Sequence, residues 1–258
     1  MTDIFCIGNA LLDALQRVEG DERLQALHLQ KGAMQLIDSE KYAKISHIMN
    51  VENCEISTGG SGGNVALCSA RLGQKAFFCG KTGEDDKSAL FRSVMCRNGV
   101  MVAPLSCSLP MGVASTFITP DGQRTFATYL GAGATLHAEE LEESWFSGVR
   151  YVFVEGYLVQ DHSLIERAVD LAHAAGAEVC LDLASYNIVA AEHDFFAHLL
   201  KKTDILMANE EESYAMTGLQ PEESLEALAQ VCPTVVVKVG AKGALGARGA
   251  ERAKVPAV

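Results

Sequence analysis

Short apolar runs and amphipathic stretches alternate along most of this chain, and that alternation is the first constraint on its fold. Residues 4–7 form an apolar run that ends in Gly8-Asn9 and leads to Asp13. Further runs of strand length lie at 75–79, 151–154, 178–183, 205–208 and 234–239. Between them, helical spacing recurs at 86–98, 163–175, 192–200 and 221–229. Strands alternating with helices predict parallel pairing with helices on both faces. The rhythm breaks twice. Residues 16–56 are polar and mixed, with short helices expected at 21–29 and 39–49, so this part reads as a cover or insertion. Residues 113–119 and 124–129 are β-like runs joined by Pro120-Asp121-Gly122-Gln123, an antiparallel hairpin signal. The pattern predicts a large α/β domain from 1–15, 57–110 and 132–258, with part of 16–56 and 111–131 forming a small β-sheet lid.

The densest local signal is Gly59-Gly60-Ser61-Gly62-Gly63-Asn64, four glycines in five positions, followed by helical spacing over 65–72. Such a backbone lets a ligand lie against it, and a helix start favours electron-rich groups. Asn64 is expected at the mouth of the helix, either capping free amides or turning its own amide to a hydroxyl-rich substrate. A tight loop-to-helix junction without a ligand is the plainer reading. The stretch is neither GxxxxGK[ST] nor GxGxxG.

Polar residues recur where strands end: Asp13, Glu155, Asp182 and Asn209. Their recurrence points to a shared cleft at the carboxyl ends of a parallel sheet. Asn209 and Glu212 stand three apart where a strand gives way to a helix, so both can face one side of its first turn. They read either as positioning a hydrated magnesium or as acidic helix-start residues favoured by the dipole. Gly240 and Gly243, with Lys242 between them, make a second permissive turn that could receive phosphate or the edge of a base.

Composition narrows the classes. A net charge of -12 over 258 residues offers no basic stripe for nucleic acid. The eight cysteines form no CxxC pair, and most read as small buried hydrophobes in a reducing compartment. No leader and no membrane-spanning apolar run is visible, so a cytoplasmic protein is expected. His47, His137, His162, His173, His193 and His198 lack metal or relay spacing, and Ser115 and Ser185 lack a nucleophile elbow. Trp145 and Phe146 read as core contacts.

Gly59 to Ala66 followed by Ala70-Arg71-Leu72-Gly73 resembles the first signature of the PfkB/ribokinase family of sugar and nucleoside kinases. The likeness extends to Gly8-Asn9 with Asp13, the 120–125 hairpin, Glu155, Asn209-x-x-Glu212 and the strand ending at Gly240-x-x-Gly243. It implies a ribokinase-like three-layer α/β sandwich, ATP and Mg2+ as cofactors, and a sugar or nucleoside as substrate. By resemblance, Asp13, Gly59, Gly60, Gly63 and Asn64 grip substrate hydroxyls and Glu155 lies near the substrate and phosphates. Asn209 and Glu212 would order magnesium, Glu212 through water, and ATP phosphates, while Gly240 and Gly243 belong to the nucleotide side. Lys31-Gly32-Ala33-Met34, 128–132 and 155–158 look more like bacterial adenosine-kinase-like members than like ribokinases or fructokinases. A homodimer through the lid is a further implication.

Two departures are visible. Lys238 stands where many relatives carry Thr. The family's Gly-Ala-Gly-Asp segment, whose aspartate is the catalytic base, is absent, and the sequence stops at Val255-Pro256-Ala257-Val258, near the strand expected to lead into it. No catalytic base is therefore assigned. The expectation is a kinase lineage, active or impaired in this form, with a sugar kinase or a non-catalytic binding protein as alternatives.

Overall fold

The computed structural model describes residues 2–49 and 54–257. In chain order the first elements are β1 (Ile4–Ile7), β2 (Leu11–Arg17), α1 (Glu22–Ala26), β3 (Met34–Leu36), α2 (Ser39–Met49), β4 (Glu55–Gly59) and α3 (Ser61–Arg71). Next come β5 (Ala76–Cys79), α4 (Asp86–Arg97), β6 (Met101–Val102), β7 (Gly112–Ile118), β8 (Arg124–Tyr129), β9 (Tyr151–Glu155) and α5 (His162–Ala174). The chain continues with β10 (Glu178–Asp182), α6 (Tyr186–Ala191), α7 (His193–Leu199), β11 (Ile205–Asn209), α8 (Glu210–Thr217) and α9 (Pro221–Leu228). It ends in β12 (Thr234–Lys238), β13 (Ala244–Arg248) and β14 (Glu251–Val255).

Two compact units emerge. One comprises Met1–Ile7, Gln74–Ala76 and His137–Val258; the other comprises Gly8–Gly73 and Phe77–Leu136.

In the first unit, strands run in the order β14-β13-β12-β11-β10-β9-β1. Pairing is parallel from β1 through β12 and antiparallel across β13 and β14. Alternation divides this sheet into unequal faces. Phe5, Ile7, Val152, Val154, Val179, Leu181, Leu206, Ala208, Val235, Val237, Leu245 and Ala247 share one face, and every one is buried. Helix α9 lies on that side, because Arg252 and Lys254, in register with Ala247 and Leu245, pair with its Glu226 and Glu222. Phe146 closes the far end, its ring 4.5 Å from that of Phe5. On the opposite face Cys6, Phe153 and Cys180 are buried, yet toward β14 the cover thins: Met207 is 37% exposed and Val255 57%. The β13–β14 hairpin has no counterpart in the sequence reading, which stopped at the glycine turn.

The second unit holds a five-stranded sheet in the order β3-β8-β7-β2-β4. One face packs against α1 and α2: Ala14, Val113, Phe117 and Ala127 meet Leu24, Leu27, Ile45 and Met49. The hairpin expected at 113–129 forms β7 and β8, antiparallel, with Ser115 opposite Ala127. At its tip Lys31 Nζ lies 2.8 Å from both Asp21 and Asp121, tying the turn to the segment after α1. The segment 16–56 is more than a cover, since β3 and β4 are strands of this sheet. Residues 50–53 of that stretch lie outside the described residues.

Candidate functional site

In the second unit Asp13 and Gly59 lie on the sheet face turned away from α1 and α2, while Gly60, Gly63 and Asn64 belong to the start of α3. Asp13 was expected after a strand; it is instead the middle of β2, paired with Ser57 on β4 and Ala114 on β7. The leucines at 11, 12 and 15 fall on both faces of the strand, so no period-two apolar alternation announced it. Register carries one row across all five strands: Ser57, Asp13, Ala114, Thr128 and Leu36. The next row along is Glu55, Leu15, Thr116, Phe126 and Met34. One side of this surface is therefore a carboxylate and hydroxyls, and the other is Met34, Phe126 and a Leu36 that is 46% exposed.

Burial pushes the Asp13 carboxyl up to about 6, with Arg124 opposing the shift. Its carboxylate lies against Gly59, where any Cβ would collide with it. At Gly60, φ is +80° and a Cβ would strike the Asn9 carbonyl, so only glycine fits. The loop is thus moulded on Asp13 and Asn9. Helix α3 begins at Ser61, four residues earlier than expected, with Gly60 as its N-cap. Asn64 is consequently no cap: its N–H donates to the Gly60 carbonyl at 2.9 Å, and the residue is exposed on the first turn. Gly63 is helical and buried, with Phe91 and Phe78 close against it. Among the described residues, the buried Ser61 Oγ and Thr116 Oγ1 have no hydrogen-bond partner, nor do Ser115 Oγ and Gln16 Oε1 on the opposite face. Buried hydroxyls are rarely left so. Asn9, Thr116 and Thr128 had not been named as binding residues; once β2 and β7 are recognised, period-two alternation from Asp13 finds both threonines.

In the first unit the strand ends collect the remaining residues. Asp182 is in register with Glu155, and Lys238 with Asn209, all on the thinly covered face at its carboxyl edge. Glu155 is 1% exposed. Asp182 accepts from the Ala184 N–H at 3.0 Å, and Ala184 holds a positive φ of 69° unusual for alanine. Lys238 Nζ approaches the other Asp182 oxygen at 3.4 Å. Asn209 and Glu212 form a reciprocal capping box at the start of α8. The Glu212 carboxylate accepts from the Asn209 backbone and side-chain amides, both at 2.7 Å, and Asn209 Oδ1 accepts from Glu212 N–H at 2.8 Å. Burial raises the Glu212 pKa, countered by the Asn209 bond and Lys238 and reinforced by Asp182. Tyr157, pushed up to about 12 mainly by burial, stays a neutral donor beside these carboxylates.

Gly240 and Gly243 bracket a single tight turn in which Gly243 N–H donates to the Gly240 carbonyl and Val239 N–H to the Gly243 carbonyl. Gly243 has φ +98°, and the chain at 255–257 crosses where its side chain would be. Its amide is therefore spent within the turn.

Among the described residues, no group of three His, Cys, Asp or Glu is arranged to hold a metal ion. Magnesium needs no such cage when it arrives on phosphates, keeping most of its waters and one or two carboxylates. Asp182 and Glu212 fit that lesser role; a directly caged ion does not fit. No helix among the described residues is long and apolar enough to cross a membrane. Of the eight cysteines, Cys6, Cys79, Cys180 and Cys232 are buried, Cys54 and Cys107 intermediate, and Cys68 and Cys96 exposed. The expectation that most are buried therefore holds for half.

Comparison with known proteins agrees with this architecture. The chain is 30% identical to an adenosine kinase from Sinorhizobium meliloti, with a TM-score of 0.93 over all of this chain and 80% of that one. The same figures hold for a probable sugar kinase protein from Rhizobium etli. Among curated proteins, ribokinase of Haemophilus influenzae is 26% identical over 80% of this chain and 69% of its own length. Aminoimidazole riboside kinase of Salmonella typhimurium is 26% identical over 72% of this chain and 62% of its own. The chain thus spans about two thirds or less of most such relatives. The fold is the ribokinase-like three-layer α/β sandwich, with a mostly parallel central sheet and a smaller second one. The pattern of the pfkB carbohydrate kinases matches residues 1–258, and the chain belongs to that family.

Proposed function

We propose that this chain serves ATP-dependent phosphorylation of a hydroxyl on a small polyol, and that the acceptor is an adenosine-like nucleoside rather than a free sugar. The observation that carries the choice is the row from Asp13 to Leu36. Three strand spacings separate these residues, about 14 Å at roughly 4.8 Å per strand. That span exceeds a pentose and suits a nucleoside laid along the sheet. The small Ala114 leaves a floor between the ends. Asp13 accepts hydrogen bonds from ribose hydroxyls, Asn64 supplies an exposed amide, and Met34, Leu36 and Phe126 meet the flat base. The unpartnered Thr116 hydroxyl, one row along on the same face as Asp13, supports a polar ligand there.

On the donor side, Glu155, Asp182, Asn209 and Glu212 are assigned to the phosphates and to a hydrated magnesium. Bound Mg-ATP supplies the transferable phosphoryl group and the charge neutralisation that its transfer demands. The capping box holds the Glu212 carboxylate in a fixed orientation, and Glu155 is buried at the same end of the strands. None of the 258 residues is given the role of general base. The lid formed by part of 16–56 with 111–131, and pairing of two copies through it, belong to the same proposal.

Calorimetric titration with adenosine, ribose and fructose, paired with a Mg-ATP transfer assay on the same preparation, tests the reading. Adenosine is expected to bind at least about tenfold more tightly than ribose, since the base adds apolar burial. Tighter binding of ribose or fructose would favour the sugar-kinase alternative. Absence of binding by all of them would sink the proposal.

A further inference from the structure

We infer that Lys31 is a positioning residue for acceptor choice: by clamping the β7–β8 turn to the start of α1, it holds β3 in register and keeps Met34 and Leu36 on the ligand face. This rests on the proposed function, whose base end it makes specific. Lys31 Nζ lies 2.8 Å from Asp21 Oδ1, 3.1 Å from Asp21 Oδ2 and 2.8 Å from Asp121 Oδ2. Both carboxylates are committed to it. Asp21 is the N-cap of α1, yet its side chain makes no capping bond there. Asp121 is fixed within the turn, where it also accepts from the Thr119 hydroxyl and the Gln123 N–H. The Lys31 bond, followed by that from Thr119, holds its carboxyl down at about 2. The clamp therefore stays charged at neutral pH, and ionic strength is the variable that loosens it.

What it steadies is a weak strand. β3 has three residues, closes one end of the strand order and pairs with β8. Directly after the clamp, Gly32 N–H donates to Thr125 Oγ1 at 2.9 Å, and Phe126 N–H donates to the Ala33 carbonyl at 3.0 Å. Lys31 thus sits where the chain first joins β8. In the present register Met34 and Leu36 lie opposite Phe126 and Thr128, while Gln35 lies opposite Ala127, which packs toward α1 and α2. A slip of one residue would exchange the faces, turning Met34 and Leu36 away and bringing the Gln35 amide to the ligand. The base end of the row would lose its apolar character. Asp13 is on β2, separated from β3 by β8 and β7, so the ribose end would be untouched.

The test is calorimetric titration with adenosine and with ribose, at about 0.05 M and about 0.5 M salt, on wild type, Lys31→Met, Lys31→Arg and Asp121→Asn. Lys31→Met is expected to weaken adenosine about fivefold and leave ribose unchanged. Added salt should weaken adenosine binding to wild type but not to Lys31→Met. Lys31→Arg, which still reaches both carboxylates, should restore most of the loss, and Asp121→Asn should show a smaller loss than Lys31→Met. Thermal melting of each sample confirms folding. A merely structural clamp would lower the melting temperature and leave the adenosine-to-ribose ratio where it was. If wild type prefers adenosine and Lys31→Met keeps that ratio, whether both affinities hold or both fall together, the inference is overturned and the functional reading stands. If wild type binds ribose more tightly, or binds neither, the functional reading falls and takes the inference with it.

Discussion

Replacing Asp13 by Asn should make the protein more stable and worse at binding. Burial holds the folded carboxyl at about 6 against an ordinary 3.8. At about 1.4 kcal/mol per pKa unit, the ionised form costs the fold about 3 kcal/mol. The sign follows from proton binding. Between 3.8 and about 6 the folded chain keeps a proton that the unfolded chain has released, so stability falls as pH rises through that window and is level above it. Asp13→Asn removes the penalty. Urea unfolding should show a gain approaching about 3 kcal/mol near pH 7.5, shrinking to a few tenths near pH 4. Adenosine affinity should drop by about tenfold or more, because a charged acceptor becomes a neutral amide. A gain of the same size at both pH values, or a loss near neutrality, would refute the claim that an ionised, desolvated Asp13 strains the native state.

Other expectations follow from the same geometry. Gly60→Ala forces a side chain into a positive φ and against the Asn9 carbonyl, so thermal melting should report a loss of about 2 kcal/mol or more. Asn209→Ala removes the cap of α8 and the side-chain amide that donates to the buried Glu212, leaving only the backbone donor; chemical unfolding should register a loss of about 2 kcal/mol, larger than for a simple cap. Thiol titration with a chromogenic disulfide should label Cys68 and Cys96 first. Cys180 and Cys232, buried and pushed up to about 12, should react only on unfolding.

The large elements were legible because their chemistry is redundant. Val235 and Val237 alternate with half-exposed neighbours in a β-branched run, and Pro221 opens a helix whose apolar spacing is regular. The second sheet was harder. In β2 the sequence Leu-Leu-Asp-Ala-Leu-Gln-Arg sets a carboxylate into a strand that pairs on both sides, so local composition read as the stretch beyond a strand end. The start of α3 was misplaced for a related reason: Ser61, Gly62 and Gly63 are poor helix formers, yet the loop mould on Asp13 and Asn9 fixes the helix from Gly60 onward. At the carboxyl ends of β9 to β12 the sequence singled out the residues but not their local bonds. The capping box accounts for Asn209 and Glu212 as a pair, and backbone crossing accounts for Gly243, while Lys238 stood out only as a departure.

The thinly covered side of β11 to β14 bears on how the protein must be handled. β14 is exposed at all five positions and closes one end of the strand order, so its outer backbone groups and the apolar surface of Met207 and Val255 face water together. A sheet edge beside uncovered hydrocarbon is sticky in two independent ways, by hydrogen bonding and by dewetting. Encounters between molecules rise with the square of concentration, so losses on storage should be steep in protein concentration and mild in ionic strength. Dilute samples kept cold, with stability read before ageing, separate the intrinsic strain at Asp13 from this colloidal behaviour.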